Sequence, residues 1–89
     1  MKNELEDLRK QIDEIDDQII DLLAKRINIV KKVGEYKKKN SLPIFDKTRF
    51  ENLIKSREEK AKKLGLSEEL INKIYKIIHD ESLKVERSV

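Results

Sequence analysis

The sequence predicts an all-α protein: a three-helix protomer with one long N-terminal helix, paired as an intertwined six-helix homodimer. Three observations carry that prediction. Apolar residues recur at alternating spacings of three and four through the first two-fifths of the chain, as in Leu5, Leu8, Ile12, Ile15, Ile19 and Leu22, then Ile29 and Val33. No segment shows the period-two alternation of a strand, and no internal repeat or low-complexity tract interrupts the pattern. Finally, 89 residues that are 37% hydrophobic and 44% charged hold little private core, so the fold must borrow apolar surface from elsewhere.

The first helix runs from about Asn3 to Lys39. A helix of roughly 37 residues is about 55 Å long, whereas a compact monomer of this size has a radius of gyration near ~12 Å. Two shorter helices cannot cover both ends of such a rod, and self-association is the economical solution. Asn40 and Ser41 are poor interior helix residues, and Pro43 disfavours a helical residue before it, so NSLPIFD ends the first helix. Asp46 then fits an N-cap, with Phe45 and Phe50 at the two positions of a hydrophobic staple. The second helix starts near Lys47 and runs to Leu64, where Gly65 suits a left-handed C-terminal residue. Ser67 caps the third helix, Leu66 and Ile71 repeat the staple spacing, and Leu70, Ile71, Ile74, Tyr75, Ile78 and Val85 form its buried side.

Several function classes are excluded at this level. Without cysteine there is neither a disulfide framework nor a thiolate site, and one histidine without HxxH or HExxH spacing argues against a metal. The N-terminus MKNELEDLRK is polar and lacks the apolar core of a signal peptide, and no apolar run could span a bilayer, so a cytoplasmic protein with no membrane partner is expected. The formal net charge is +3 and the pI about 9.1, but acids and bases are interleaved everywhere except KVGEYKKKN. That run lacks aromatic interleaving or a helix-turn-helix pattern and reads as a solvated helix end, with no nucleic-acid partner.

Polar residues break the buried faces in a few places. Arg26 occupies the seam position of Ile12, Ile19 and Val33, and a partly buried arginine without an anionic partner costs several kcal/mol. Lys37, eleven residues on, lies about 20° around the helix from Arg26, so both cations face one pocket. Ser82 follows Ile78 by four and precedes Glu86 by four, which puts hydroxyl and carboxyl on the apolar face of the third helix as an opposite wall. Arg9 lies about 100° around and about 25 Å from Arg26. It reaches such a pocket only from an antiparallel partner chain. On pattern alone, two explanations of Arg26 stand level: an internal ion pair that sets register, with Lys37 held by Glu35 or Glu86, or an external anion. His79 reads as a partly exposed surface residue, Tyr36 and Tyr75 as core residues with a wet hydroxyl, and the acids of IDEIDDQIID as a solvated face.

The stretch LRKQIDEIDDQIIDLLAKRINIVKKVGEYKKKNSLPIFDKTR carries LRxxIDxID, LLxxR, VGxxK and PIxDxxR in order, and IIHDES follows. Together they closely resemble the all-helical chorismate mutases over nearly the whole chain. The resemblance implies a dimer of three-helix protomers with two active sites, and the pericyclic rearrangement of chorismate to prephenate, a step toward phenylalanine and tyrosine. It needs no nucleophile and no cofactor. By carry-over at matching positions, Arg26 and the partner's Arg9 clamp the substrate carboxylates, and Lys37 reaches the ether oxygen and a carboxylate. Asp46, largely through its backbone, and Arg49 border the ring hydroxyl, and Ser82 binds a carboxylate. Glu86 stands where a glutamine commonly donates to the ether oxygen, giving Lys37, Glu86 and Arg26 the catalytic roles.

Two positions depart from the pattern. Phe50 replaces a glutamate that hydrogen-bonds the ring hydroxyl in many relatives, which implies weaker affinity unless another group takes the contact. Glu86 can donate only when protonated, which implies activity that falls as pH rises. Elimination of pyruvate from isochorismate on the same scaffold, or a non-catalytic helical dimerisation module, are the competing readings. The whole chain, residues 1–89, is expected to form one mutase domain with no dehydratase, dehydrogenase or regulatory domain attached.

Overall fold

The structure is a computed structural model that describes residues 3–89. Helix α1 spans Glu4–Lys39, α2 Lys47–Lys63 and α3 Glu68–Ser88, in 36, 17 and 21 residues. Each starts where a capping side chain takes an orphan backbone N–H. Asn3 accepts from the Leu5 amide, Asp46 from Arg49 and Ser67 from Leu70. The first turn of α1 is acidic (Glu4, Glu6, Asp7) and its last basic (Lys37, Lys38, Lys39), so both ends complement the helix dipole. Gly65, at φ 75°, ends α2 in the left-handed conformation foreseen for it. The Phe45–Phe50 staple forms, with ring centroids 6.5 Å apart.

Helix α3 packs against both α1 and α2, which share no packed interface with each other among the described residues. The result is elongated, 62 × 26 × 15 Å with a radius of gyration of 16.9 Å, against the ~12 Å of a compact chain this long. Among the described residues only Leu53 and Ala61 are buried apolar side chains, while Leu5, Leu8, Ile12, Ile15, Ile19 and Ile29 of the α1 seam are each about half exposed. The accessible surface of 7644 Å² exceeds by about 2,200 Å² the ~5,500 Å² of a compact monomer of this mass. Three sequence expectations fail in the single chain for the same reason. Leu70 and Ile74 on α3 and Tyr36 on α1 were expected in a core; they are exposed, because no neighbouring helix of the chain reaches them.

Candidate active site

The geometry of α1 brings Arg26 and Lys37 to one side of the helix, and α3 crosses that side. Between them, closed by the Ile44–Asp46 loop and the first turns of α2, lies a cavity of about 230 Å³. Arg26, Val33 and Lys37 line it from α1, Asp46, Arg49 and Phe50 from the loop and α2, and His79, Ser82 and Glu86 from α3. Every site residue expected within one chain is therefore present. Arg9 is exposed on α1 and absent from its own chain's cavity, as its position around the helix requires.

Two polar pairs form the walls. The Arg26 guanidinium donates through Nη1 to Ser82 Oγ at 2.6 Å, and that hydroxyl donates on to the Ile78 carbonyl at 2.8 Å. Arg26 has no carboxylate partner among the described residues. Of the two explanations left open, the internal ion pair fails for Arg26 and holds for Lys37. The Lys37 ammonium lies 2.6 Å from Glu86 Oε1 and donates to the Ile44 carbonyl, also at 2.6 Å. Glu86 is 7% exposed and Lys37 19%, and the contact between them is a charge pairing that lies outside hydrogen-bond angles. The cavity thus holds a row of cations with a single buried carboxylate, an arrangement suited to an anion.

Two further residues were not foreseen. Gly34 is buried where α3 crosses α1, three residues before Lys37, and lets the Glu86 backbone come close. His79, expected partly exposed at the surface, is half-buried and lines the cavity wall, with its ring tilted 35° against Phe50 at 4.2 Å between centroids. Its spacing was the available signal, since His79 stands three residues before Ser82 and seven before Glu86 and so shares their face. Burial and the nearby charges of Arg26 and Lys37 hold the His79 pKa below its ordinary 6.5, outweighing Asp80 and Glu86.

A larger groove of about 690 Å³ runs between α2 and α3 on the far side of Phe50, His79 and Leu83. It is lined by no arginine, and its lysines, Lys55, Lys73 and Lys76, are solvent-exposed. Size therefore does not pick out the site here; the convergence of buried polar groups does. No group of side chains suited to holding a metal ion occurs among the described residues.

Residues 8–87 match the family described as chorismate mutase type II. The T-protein of Enterobacter agglomerans is 40% identical over 82 residues, which are 92% of this chain but 22% of that protein. The chain thus spans about a fifth of the length of such larger relatives. A chorismate mutase of Methanocaldococcus jannaschii is 33% identical over 86 residues, covering 94% of this chain and 87% of the relative. A solved structure described as a conserved hypothetical protein from Pyrococcus furiosus superposes with a TM-score of 0.76 at 35% identity, covering 97% of this chain and 99% of its own. With its three-helix order, its cation-lined cavity and a match running from Leu8 to Arg87, the chain belongs to the chorismate mutase type II family.

Proposed function

We propose that this chain is a chorismate mutase, converting chorismate to prephenate at a site completed by a second copy of itself. The observation that carries the reading is Arg26: a cation lining the cavity, oriented by Ser82 and without any carboxylate partner among the described residues. A substrate carboxylate is the missing partner. At about 230 Å³ the cavity is smaller than the ~300–1,000 Å³ of drug-sized sites and suits a compact, folded small molecule.

The reaction forms one carbon–carbon bond as the ether carbon–oxygen bond breaks, with electron pairs shifting around a six-atom ring and no proton taken or given. The chain's task is restraint and charge stabilisation. Arg26 and the partner's Arg9 grip the two carboxylates and hold the compact chair, and Ser82 fixes Arg26 for that grip. Lys37 and Glu86 meet the ether oxygen as it gains negative charge. Only the acid form of Glu86 can donate to that oxygen, because a carboxylate is an acceptor alone and repels it. Asp46 and Arg49 close the cavity around the ring.

The homodimer supplies what one chain lacks. The half-exposed seam of Leu5, Leu8, Ile12, Ile15 and Ile19, together with about 2,200 Å² of excess surface, matches the size of an obligate interface. An antiparallel partner laid along that seam carries its Arg9 to the mouth of the cavity. Residues 1–89 act as one domain of a cytoplasmic enzyme; no described helix is long and apolar enough to cross a membrane.

The test is purified protein incubated with chorismate and, separately, with isochorismate. Prephenate from the first and no pyruvate from the second is the expected result. Arg26→Ala is expected to lower kcat/KM by about 100-fold or more while leaving the helical signal intact. Pyruvate release from isochorismate would instead establish the elimination on the same scaffold. A folded protein whose melting temperature does not move with a bicyclic dicarboxylate would be a dimerisation module.

A further inference from the structure

His79 lines the cavity but has no part in the roles above, and its Nε2 is buried without a hydrogen-bond partner. An unpaired buried nitrogen costs ~1–3 kcal/mol, which a leucine or phenylalanine filling the same space would avoid. Its placement is defined: Phe50 lies against it at 4.2 Å with the rings tilted by 35°, and Phe45 meets it edge-on at 5.9 Å. The charged groups around it are Arg26 and Lys37 from α1, Asp80 and Glu86 from α3, and Asp46 and Arg49 from the loop and α2. Burial and the two cations of α1 outweigh the acids, and the imidazole is neutral at pH 7.

A neutral imidazole offers one donor and one acceptor, a poor match for a carboxylate in a cavity that already supplies arginines for that purpose. Chorismate has four polar groups: two carboxylates, the ether oxygen and one ring hydroxyl. The arginines take the carboxylates, and Lys37 with Glu86 takes the ether oxygen. The hydroxyl, bordered by the Asp46 backbone and Arg49, lacks the second side-chain partner that Phe50 cannot supply, and being donor and acceptor at once it suits either tautomer of His79. The χ2 torsion is soft for this side chain, and a turn about it presents Nε2 to the cavity that the ring already lines.

We propose that His79 binds the ring hydroxyl of the substrate and so positions the ring against the cations. The inference rests on the mutase reading and assigns a contact for which Phe50, a neighbour of Arg49 in the same wall, has no polar atom.

The test uses two transition-state-like oxabicyclic dicarboxylates, one with the ring hydroxyl and one without, titrated against wild type, His79→Phe and His79→Gln. Wild type is expected to bind the hydroxylated diacid more tightly. His79→Phe is expected to lose about 10-fold in affinity for it, the loss of one hydrogen bond, and nothing for the deoxy compound. His79→Gln, which keeps a polar group at similar reach, recovers most of that loss. With chorismate, His79→Phe raises KM more than it lowers kcat. His79→Leu serves the same purpose if phenylalanine impairs folding. Equal losses for both diacids, or no loss for either, would overturn the contact alone; wild type binding neither diacid would overturn the mutase reading and the contact with it.

Discussion

Gly34→Ala places a methyl group where α3 crosses α1. A Cβ there lies 2.8 Å from Glu86 Cα, 3.0 Å from the Glu86 carbonyl oxygen and 2.6 Å from Val89 Cγ2. The valine tip can swing aside, but the Glu86 contacts are backbone, so α3 must withdraw by about 0.6 Å to reach ordinary contact at 3.4 Å. Overpacking of this kind costs ~1–3 kcal/mol, set against about 1 kcal/mol gained by alanine in a helix interior. A fall in Tm of about 5 °C follows for a domain this small. The same displacement draws the Glu86 carboxyl away from Lys37, now 2.6 Å apart. Since a 1 Å misplacement costs roughly 100-fold, kcat falls about 10-fold. Affinity for a bicyclic dicarboxylate falls less, because Arg26 sits on α1 and does not move with α3. The assays are prephenate formation, ligand titration and thermal unfolding of the variant beside wild type. A variant as stable and as fast as wild type would refute the claim that this crossing sets the position of Glu86.

Four other outcomes follow from the site. Glu86→Gln keeps the side chain's shape but carries an amide that always donates; kcat/KM at about pH 7.5 is expected to rise roughly 10-fold, and no gain would contradict the need for a donor beside the ether oxygen. Arg9→Ala and Arg26→Ala chains, each inactive alone, are expected to regain up to about a quarter of wild-type activity when refolded together, since half the dimers in a random mixture carry one intact site; no recovery would contradict a site built from two chains. Arg26→Met removes a partly buried cation that has no carboxylate partner among the described residues, so Tm is expected to hold or rise by a few degrees while activity is lost, and a large fall in Tm would show that Arg26 serves the fold instead. Because the His79 pKa is lower folded than its unfolded 6.5, the unfolded chain binds more protons between those values, and stability present above pH 6.5 is lost as pH falls through that window. The Tm of wild type should therefore drop more than that of His79→Phe between about pH 7.5 and 5.5.

Much of this architecture is legible in local sequence because the determinants are local. Asp46 and Ser67 cap the helices that follow them, Gly65 takes positive φ, and the three-four spacing of the α1 seam is independent of what covers it. The co-location of Arg26 with Lys37 follows from helix geometry alone, as does that of Ser82 with Glu86. What the pattern leaves undecided is pairing across helices. Whether Glu86 or a substrate answers Arg26 depends on the offset between α1 and α3, which Gly34 sets through backbone contact and which no periodicity records. His79 is legible only in part for a related reason: its partial exposure at the edge of an apolar stripe shows in its own helix, but its aromatic cage comes from Phe45 and Phe50 outside that helix. Leu70, Ile74 and Tyr36 are apolar for surface that a single chain does not possess.

The most direct test of the account is the loss of chorismate catalysed by the purified protein at neutral pH, with prephenate identified as product and Arg26→Ala measured in parallel. The account predicts rearrangement by the wild-type chain without added metal or cofactor, and a rate reduced about 100-fold or more in a variant that remains helical. A wild-type protein that leaves chorismate at its uncatalysed rate, or an Arg26→Ala variant as active as wild type, would contradict it.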